Sequence, residues 1–585
     1  VDCDLLCMSG GWNPTLHLYS QAQGRLRWDD EVGRFLPGEA RQAVRVAGAA
    51  AGDTDLAACL VHGAEAGNAA ANDAGFRRRG RGPRQPAIEA MALSPAGRTV
   101  VIPGGGKRFV DLQNDVTVAD LELAAREGYR SIEHVKRYTT AGMGTDQGKT
   151  ANVTALTVVA ASLGTDVPAV GHTTFRPPYT PVSFGALAGR DTGALLDPVR
   201  MTPMHGWHEG NRATFEPVGQ WLRPYCYPRA DEDSREAVER EALAARQSLG
   251  IMDASTLGKI DIQGPDAAEF LNRIYVNAWK GLKVGSCRYG IMLHEDGMVF
   301  DDGVTARLGE NRFHMTTTTG NASAVLAWLE NWLQTEWPEL KVYCNACTEH
   351  WAVASICGPN ARALLGELTT DIDVDNEAFP FMTWRDGCIA GIPGRVFRVS
   401  FTGELSYEIN VPASYGLALW QALTTAGEKY GITPFGTEAM HVLRAEAGFI
   451  IVGLETDGTV TPLDLGMDWM VSRRKDFLGK RSLSRADTAR DDRPQLVGLL
   501  SRDPNLVLPE GGQLVETAGA RPPALGHVTS SYHSPNVGRS IALALLQRGS
   551  ERHGETVYVA WEGRTVAAEV TRPRFFDLEG ERARG

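Results

Sequence analysis

The sequence predicts an α+β chain of several domains, and three observations carry that expectation. Its 585 residues exceed what a single core accommodates at the usual ~150 residues per domain. The strand-like run Ile260-Asp261-Ile262-Gln263-Gly264-Pro265 has a counterpart, 94 positions on, in Val353-Ala354-Ser355-Ile356-Cys357-Gly358-Pro359. The last hundred residues then change texture to short β-rich runs broken by glycine and proline. An apolar fraction of 43% and a charged fraction of 22% are those of an ordinary globular protein, which excludes disorder, collagen and coiled coil as the main architecture.

Taken in chain order, Val1 to Met8 reads as the interior of a strand, so an N-terminally incomplete chain is expected. Val44 to Asp53 followed by an alanine-rich stretch suits the last strand and helix of an α/β dinucleotide-binding domain, and residues 1–76 are read as its remnant. A generic small-residue βα unit stays open, because no Gly-x-Gly-x-x-Gly fingerprint is present. The basic, turn-rich run from Arg77 to Pro86 marks a linker over 77–104. Thr117-Val118-Ala119-Asp120 is a capping-box start, with Val118, Leu121 and Ala125 on one helical face, and Ser131 opens a second short helix. Residues 105–200 make a small mixed connector domain.

Both Gly-Pro steps are followed by apolar residues at i, i+3, i+4 and i+7: Ala267, Phe270, Leu271 and Ile274, then Ala361, Leu364, Leu365 and Leu368. Proline is favoured at a helix start. Two related strand-to-helix lobes are therefore expected within one α+β domain over 201–487. Gln495–Leu500, Ile541–Leu546, Thr556–Trp561 and Val566–Val570 predict a small antiparallel barrel or sandwich over 488–585.

A net charge of −12 argues against nucleic acid or an anionic membrane as partner. The apolar runs are too short for the roughly 20 residues that span a bilayer. Nine scattered cysteines are few for a disulfide scaffold and point to a reducing, cytoplasmic setting. Gly148-Lys149-Thr150 lacks the earlier glycine of a phosphate-binding loop, and Gly104-Gly105-Gly106-Lys107 is followed by Arg108. Cys344-Asn345-Ala346-Cys347 has metal spacing without a second ligand pair, so no metal is expected.

The candidate chemistry lies in Gly297-Met298-Val299-Phe300-Asp301-Asp302-Gly303. Adjacent residues on a strand face opposite ways, so one acid can face a cavity while the other meets solvent or a lobe contact. A buried carboxylate there can accept a proton or steady a cation. Further on, Leu405, Tyr407, Ile409 and Val411 alternate with Ser406, Glu408 and Asn410, a half-buried strand. Phe401 could stack on a ligand ring or serve the core. Thr316 and Thr318 share a face, as hydroxyl donors or as plain strand. Arg444 beside Glu446 could be structural or reach an anionic tail.

From His205 to Phe576 the chain resembles the glycine-cleavage T-protein (aminomethyltransferase) family. The resemblance rests on Gly250-Ile251-Met252-Asp253-Ala254-Ser255, Asp301-Asp302, Gly358-Pro359, Thr402-Gly403-Glu404, Tyr407-Glu408-Ile409, Leu443-Arg444-Ala445-Glu446-Ala447-Gly448 and Gly526-His527-Val528-Thr529-Ser530, in that order. It implies a two-lobed folate-binding domain and a C-terminal barrel, with Asp301 as the key carboxylate. Glu408 would grip the pterin, and Phe401, Thr316, Thr318 and Arg444 would complete the folate site. The family's arginine and histidine are replaced within Gly436-Thr437-Glu438-Ala439-Met440 and Ser255-Thr256-Leu257, which argues against amine transfer from a lipoyl carrier while leaving folate binding intact.

Ser131 to Thr140, Thr174 to Pro181 and Asp253 to Lys259 resemble the subfamily of heterotetrameric sarcosine oxidase alpha subunits, as does Ser9 to Pro14. That resemblance implies beta, gamma and delta partner subunits, FAD and FMN in the complex, and sarcosine as the substrate oxidised to glycine with release of hydrogen peroxide. This chain would capture the one-carbon unit on tetrahydrofolate as 5,10-methylenetetrahydrofolate. NAD would be held through Gly48, Gly52, Asp53 and Thr54, and the 105–200 domain would approach the interface flavin. A stand-alone folate-dependent aminomethyltransferase and a non-catalytic scaffold subunit are the alternatives.

Overall fold

Both Gly-Pro steps end a strand and lead into a helix in the computed structural model, which describes residues 4–5, 12–76, 87–88, 106–178, 180–519 and 523–585. Strand Gly258–Gln263 runs to helix Ala267–Ile274, and strand Trp351–Cys357 to helix Ala361–Leu368. Each helix begins two residues beyond its proline, behind Asp266 or Asn360, so the prolines shape the turn instead of filling the first helical position. Gly264 and Gly358 have φ of +136° and +116°, and a Cβ on Gly264 would lie 2.0 Å from the carbonyl oxygen of Lys341. Only glycine fits there. The expected apolar faces are buried, with Ala267, Phe270, Leu271 and Ile274 on one helix and Ala361, Leu364 and Leu365 on the other.

The described residues fall into two units, Val1–Thr192 and Gly193–Gly585, each taken by itself. In the larger unit the two strand-to-helix motifs belong to different sheets. A five-stranded antiparallel sheet runs Tyr343–Ala346, Gly258–Gln263, Arg312–Thr317, Val299–Gly309, Cys287–Leu293. A six-stranded sheet runs Thr383–Ile389, Ile392–Arg398, Ser406–Pro412, Trp351–Cys357, Gly250–Asp253, Thr433–Pro434, its last pair parallel. Each sheet has its own helix-covered apolar layer.

The last hundred residues close into a six-stranded barrel in the order Pro494–Ser501, Arg539–Gln547, Gly526–Ser534, Gln513–Val515, Thr556–Trp561, Arg564–Thr571. Closure comes from pairing of the last strand with the first, and it removes the open edges a sandwich would leave. Beyond the barrel the chain returns to helix Thr437–Glu446, where the Phe575 and Phe576 amides donate to the Glu446 carbonyl at 2.9 and 3.0 Å.

In the smaller unit, helix Val118–Arg126 is capped reciprocally by Thr117 and Asp120. Its buried face is Val118, Leu121 and Ala124, with Ala125 only half-buried, because the core lies over the turn one residue earlier than expected. The strand expected within Val44 to Asp53 is not formed. Among the described residues these have no ladder partner, and the chain passes from an extended Ala47 into a tight 3-10 turn, Gly48–Ala51. Val44 and Val46 favour a strand, but the Gly48-Ala49-Ala50-Ala51-Gly52 run that follows offers one little side-chain surface to pack. Among the described residues of this unit the strands are two antiparallel pairs, Leu26–Asp29 with Arg34–Pro37 and Phe109–Asp111 with Val116–Thr117. Ser9 to Gly11, most of Val1 to Met8 and most of the 77–104 linker lie outside the described residues. Among the described residues, no helix is long and apolar enough to cross a membrane.

Candidate functional site

The strand Val299–Gly309 decides which acid faces inward. Its pairing with Cys287–Leu293 slips by one residue between Val299 and Asp301, a bulge that re-aims the side chains beyond it. Asp302 emerges on the wall of a cavity of about 1570 Å³ within the larger unit, together with Val304. Asp301, the expected key carboxylate, is not on that wall. It is completely buried, and among the described residues no donor meets either carboxylate oxygen in full hydrogen-bond geometry, although Thr318 lies close by. Gly303 lets the strand press against its neighbour, since a Cβ there would sit 2.0 Å from the Thr316 carbonyl oxygen.

The second acid comes from the other sheet. Strand Ser406–Pro412 lies between Ile392–Arg398 and Trp351–Cys357, with Glu408 opposite Phe397 and Ser355. Tyr407, Ile409 and Val411 are buried in the sheet's core, while Glu408 faces the same cavity as Asp302. The two lobes thus each deliver one carboxylate to a shared hollow.

Burial pushes all three acids upward. Asp301 is raised to about 7, by desolvation first and then by the charge of Asp302, with Thr318 close enough to offset part of the rise. Asp302 is raised to about 6, held back by the Tyr289 hydroxyl that donates to it at 2.6 Å. Glu408 is raised to about 7 by desolvation, countered by Lys259. Lys259 is itself buried and lowered to about 8, and its ammonium donates to the Ser255 and Leu257 carbonyls at 2.9 and 2.8 Å.

For Asp301 the raised value means that the folded chain holds the proton more tightly than the unfolded chain does. Its contribution therefore weakens stability as pH rises from about 4 through about 7. Asp301→Asn is expected to match the wild type near pH ~4 and to exceed it by about 1–3 kcal/mol at pH ~8. Denaturant midpoints across that range check this, and a variant no more stable at the alkaline end would refute it.

Phe401 lies on the wall about a third exposed, its ring 6.2 Å from that of Phe449 and within 20° of parallel. Thr316 and Thr318 also line the cavity. The Thr316 hydroxyl already donates to the Val304 carbonyl and accepts from its amide, both at 3.0 Å, which leaves one lone pair for a ligand. Arg444 corrects the expectation of a folate contact. Its side chain is fully buried, paired with Glu455 at 2.8 Å and bonded to Ser530 of the barrel at 2.7 Å, so it reaches no cavity. Glu446 and Glu404, from the same family motifs, are likewise structural, clamping Arg246 at 2.9 Å each.

From the sequence Asp302 stands only as one of a pair whose key role goes to Asp301, and Lys259, Tyr289 and Arg223, a buried cation on the cavity wall, are not singled out. Cys347 meets Asp261 and His314 in a buried cluster without Cys344. There Asp261 is engaged by His314 at 2.7 Å and Arg312 at 2.8 Å, and burial pushes the Cys347 thiol up to about 12, which keeps it protonated. In the smaller unit Gly48 and Gly52, with φ of +70° and +100°, bracket the 3-10 turn. The Asp53 carboxylate beyond it lies 2.8 Å from His62, and Thr54 is exposed.

Comparison with known proteins agrees with this architecture. The GCVT N-terminal domain family matches residues 204–475, the glycine cleavage T-protein C-terminal barrel domain residues 495–577, and the sarcosine oxidase A3 domain residues 105–190. The chain is 51% identical over 596 residues to the sarcosine oxidase subunit alpha of Corynebacterium sp. (strain P-1), covering 100% of this chain and 62% of that protein. With the subunit from Rhizobium meliloti (strain 1021) the figures are 45%, 100% and 60%, so the chain spans about three fifths of these relatives' length. An aminomethyltransferase from Streptomyces coelicolor is 32% identical, over 65% of this chain and 98% of its own. The crystal structure of aminomethyltransferase T from Bartonella henselae superposes with a TM-score of 0.57 at 26% identity, covering 65% of this chain and 99% of that one. The chain thus belongs to the glycine-cleavage T-protein (aminomethyltransferase) family, and along its whole length it is similar to the alpha subunits of sarcosine oxidase.

Proposed function

We propose that this chain binds tetrahydrofolate in the cavity of its larger unit and captures there the one-carbon unit released when sarcosine is oxidised to glycine, yielding 5,10-methylenetetrahydrofolate. The observation that carries this reading is the pair of carboxylates, Asp302 and Glu408, brought to one hollow by two different sheets. Glu408 offers two acceptor oxygens that match the guanidine-like N–H edge of a pterin. The Phe401–Phe449 pair offers an aromatic face for its ring. Asp302 accepts the proton lost as a folate nitrogen adds to formaldehyde and returns it to the oxygen of the adduct. Closure onto the second nitrogen then expels water, so one carbon bridges two nitrogens and no electrons are exchanged.

Under this reading Asp301 stays behind the wall and does not touch the ligand. Its own protonation responds to the charge of Asp302. Similarity to the sarcosine oxidase alpha subunits supports beta, gamma and delta partners, with FAD and FMN in the complex supplying the oxidation and delivering hydrogen peroxide. It also supports a cytoplasmic setting and an NAD site in the smaller unit that uses Gly48, Gly52, Asp53 and Thr54.

Calorimetric titration of tetrahydrofolate tests the reading. Glu408→Gln keeps the shape but removes the charge, and it is expected to weaken binding about 10- to 100-fold. Because Glu408 titrates at about 7 and must be ionised to grip the ligand, wild-type affinity should fall as pH drops below that value, while the glutamine variant stays flat. Equal affinity in both proteins would overturn the assignment. A wild type that binds no tetrahydrofolate would favour the scaffold alternative, and turnover of a methylamine-loaded carrier without partner subunits would favour a stand-alone aminomethyltransferase.

A further inference from the structure

The larger unit carries a cation that the chemistry above leaves unused. Strands Thr214–Val218 and Trp221–Cys226 form a hairpin whose register sets Glu216 directly across from Arg223, and both residues line the cavity. Cross-strand neighbours share a face, so the hairpin presents an acid and a base side by side. Arg223 is only 8% exposed. Among the described residues its guanidinium makes no ion pair, and its Nε has no hydrogen-bond partner.

The two acids that act on it electrostatically do not satisfy it. Glu216 remains beyond ion-pair distance, and the carboxylate of Asp253 is taken by His208 at 3.0 Å and by the Ser255 amide at 2.9 Å. Guanidinium stays protonated at any physiological pH, so burial leaves a charge in place instead of neutralising it. A desolvated charge without a partner is unfavourable, and a docking anion offsets that cost. The planar fork of five N–H donors matches a carboxylate through two parallel bonds.

We propose that Arg223 is the carboxylate-recognition point of the cavity. Two small molecules in the proposed reaction carry that group: the glutamyl tail of folate, and an amino-acid zwitterion whose ammonium end would meet Glu216. The first source rests on the folate reading and the second does not.

The test uses the full chain, titrated calorimetrically with tetrahydrofolate, with a tetrahydropterin lacking the glutamyl tail, and with glycine. If the tail is the ligand, Arg223→Met weakens tetrahydrofolate about 10- to 100-fold while the tailless pterin keeps its affinity. If the zwitterion is the ligand, Arg223→Met abolishes the glycine isotherm and leaves tetrahydrofolate alone. Arg223→Lys should recover only part of either loss, because an ammonium lacks the fork. Glu216→Gln, at a half-buried position that tolerates the change, should tighten tetrahydrofolate if the tail is the ligand, by removing a competing charge, and should weaken glycine if the zwitterion is the ligand, by removing the partner of its ammonium; it decides the matter should Arg223→Met fail to fold. Unchanged affinity for tetrahydrofolate and glycine in every variant overturns the proposal. If the wild type binds neither pterin, the folate reading falls while the glycine arm still judges Arg223.

Discussion

Asp302→Asn is expected to cut the rate at which the purified chain condenses formaldehyde with tetrahydrofolate, measured above the spontaneous reaction, by about 100- to 10,000-fold, the span of general acid–base catalysis. Asparagine keeps the volume of Asp302 and can still accept the Tyr289 hydroxyl, so the variant tests proton acceptance and not packing. Asp302 titrates at about 6, so the wild-type rate should rise with pH through that value and level off above it, and the variant should lose the inflection. Tetrahydrofolate affinity should change little, which separates this role from that of Glu408. An undiminished rate in Asp302→Asn would remove the carboxylate from the mechanism, and a rate lost only with affinity would make it a binding group.

The second large effect concerns stability. Arg444→Met should destabilise the chain by roughly 3–5 kcal/mol, because Glu455 would be left buried and uncompensated. Glu455 also accepts from the Ile451 amide at 2.8 Å and from the Thr529 hydroxyl at 3.1 Å, so Arg444→Met combined with Glu455→Met would strand those donors and recover only part of the loss. Denaturant unfolding followed by tryptophan fluorescence measures both. A single substitution that leaves the midpoint in place would show that the pair contributes nothing, and full recovery in the double variant would show that the surrounding hydrogen bonds contribute nothing.

Much of this arrangement was legible in the residues. The Gly-Pro steps, the apolar faces behind them and the alternation around Glu408 follow from periods of 3.6 and 2, which local sequence states directly. The choice between Asp301 and Asp302 did not follow, because a bulge between Val299 and Asp301 shifts the parity of the strand, and such a slip depends on the partner strand. Arg444 was misplaced for a similar reason. Its partners are Glu455 and Ser530, the latter 86 positions away, and no local pattern announces that meeting. The strand expected within Val44 to Asp53 failed because its second half, Gly48 to Gly52, is glycine and alanine, which suit a tight turn as well as a packed sheet. Arg223 emerges only once a hairpin register places it opposite Glu216.

The return of the chain after the barrel has a bearing on how such proteins diversify by recombination. Arg574, Phe576, Asp577 and Arg584 stand on the cavity wall alongside residues that precede them by hundreds of positions, and Arg582 reaches back to Glu404 at 2.7 Å. A crossover at the start of the barrel would therefore not exchange a self-contained module: it would graft one parent's cavity wall onto the other's carboxylates. Functional chimeras should then be confined to parents whose final segments have diverged in step with Asp302 and Glu408.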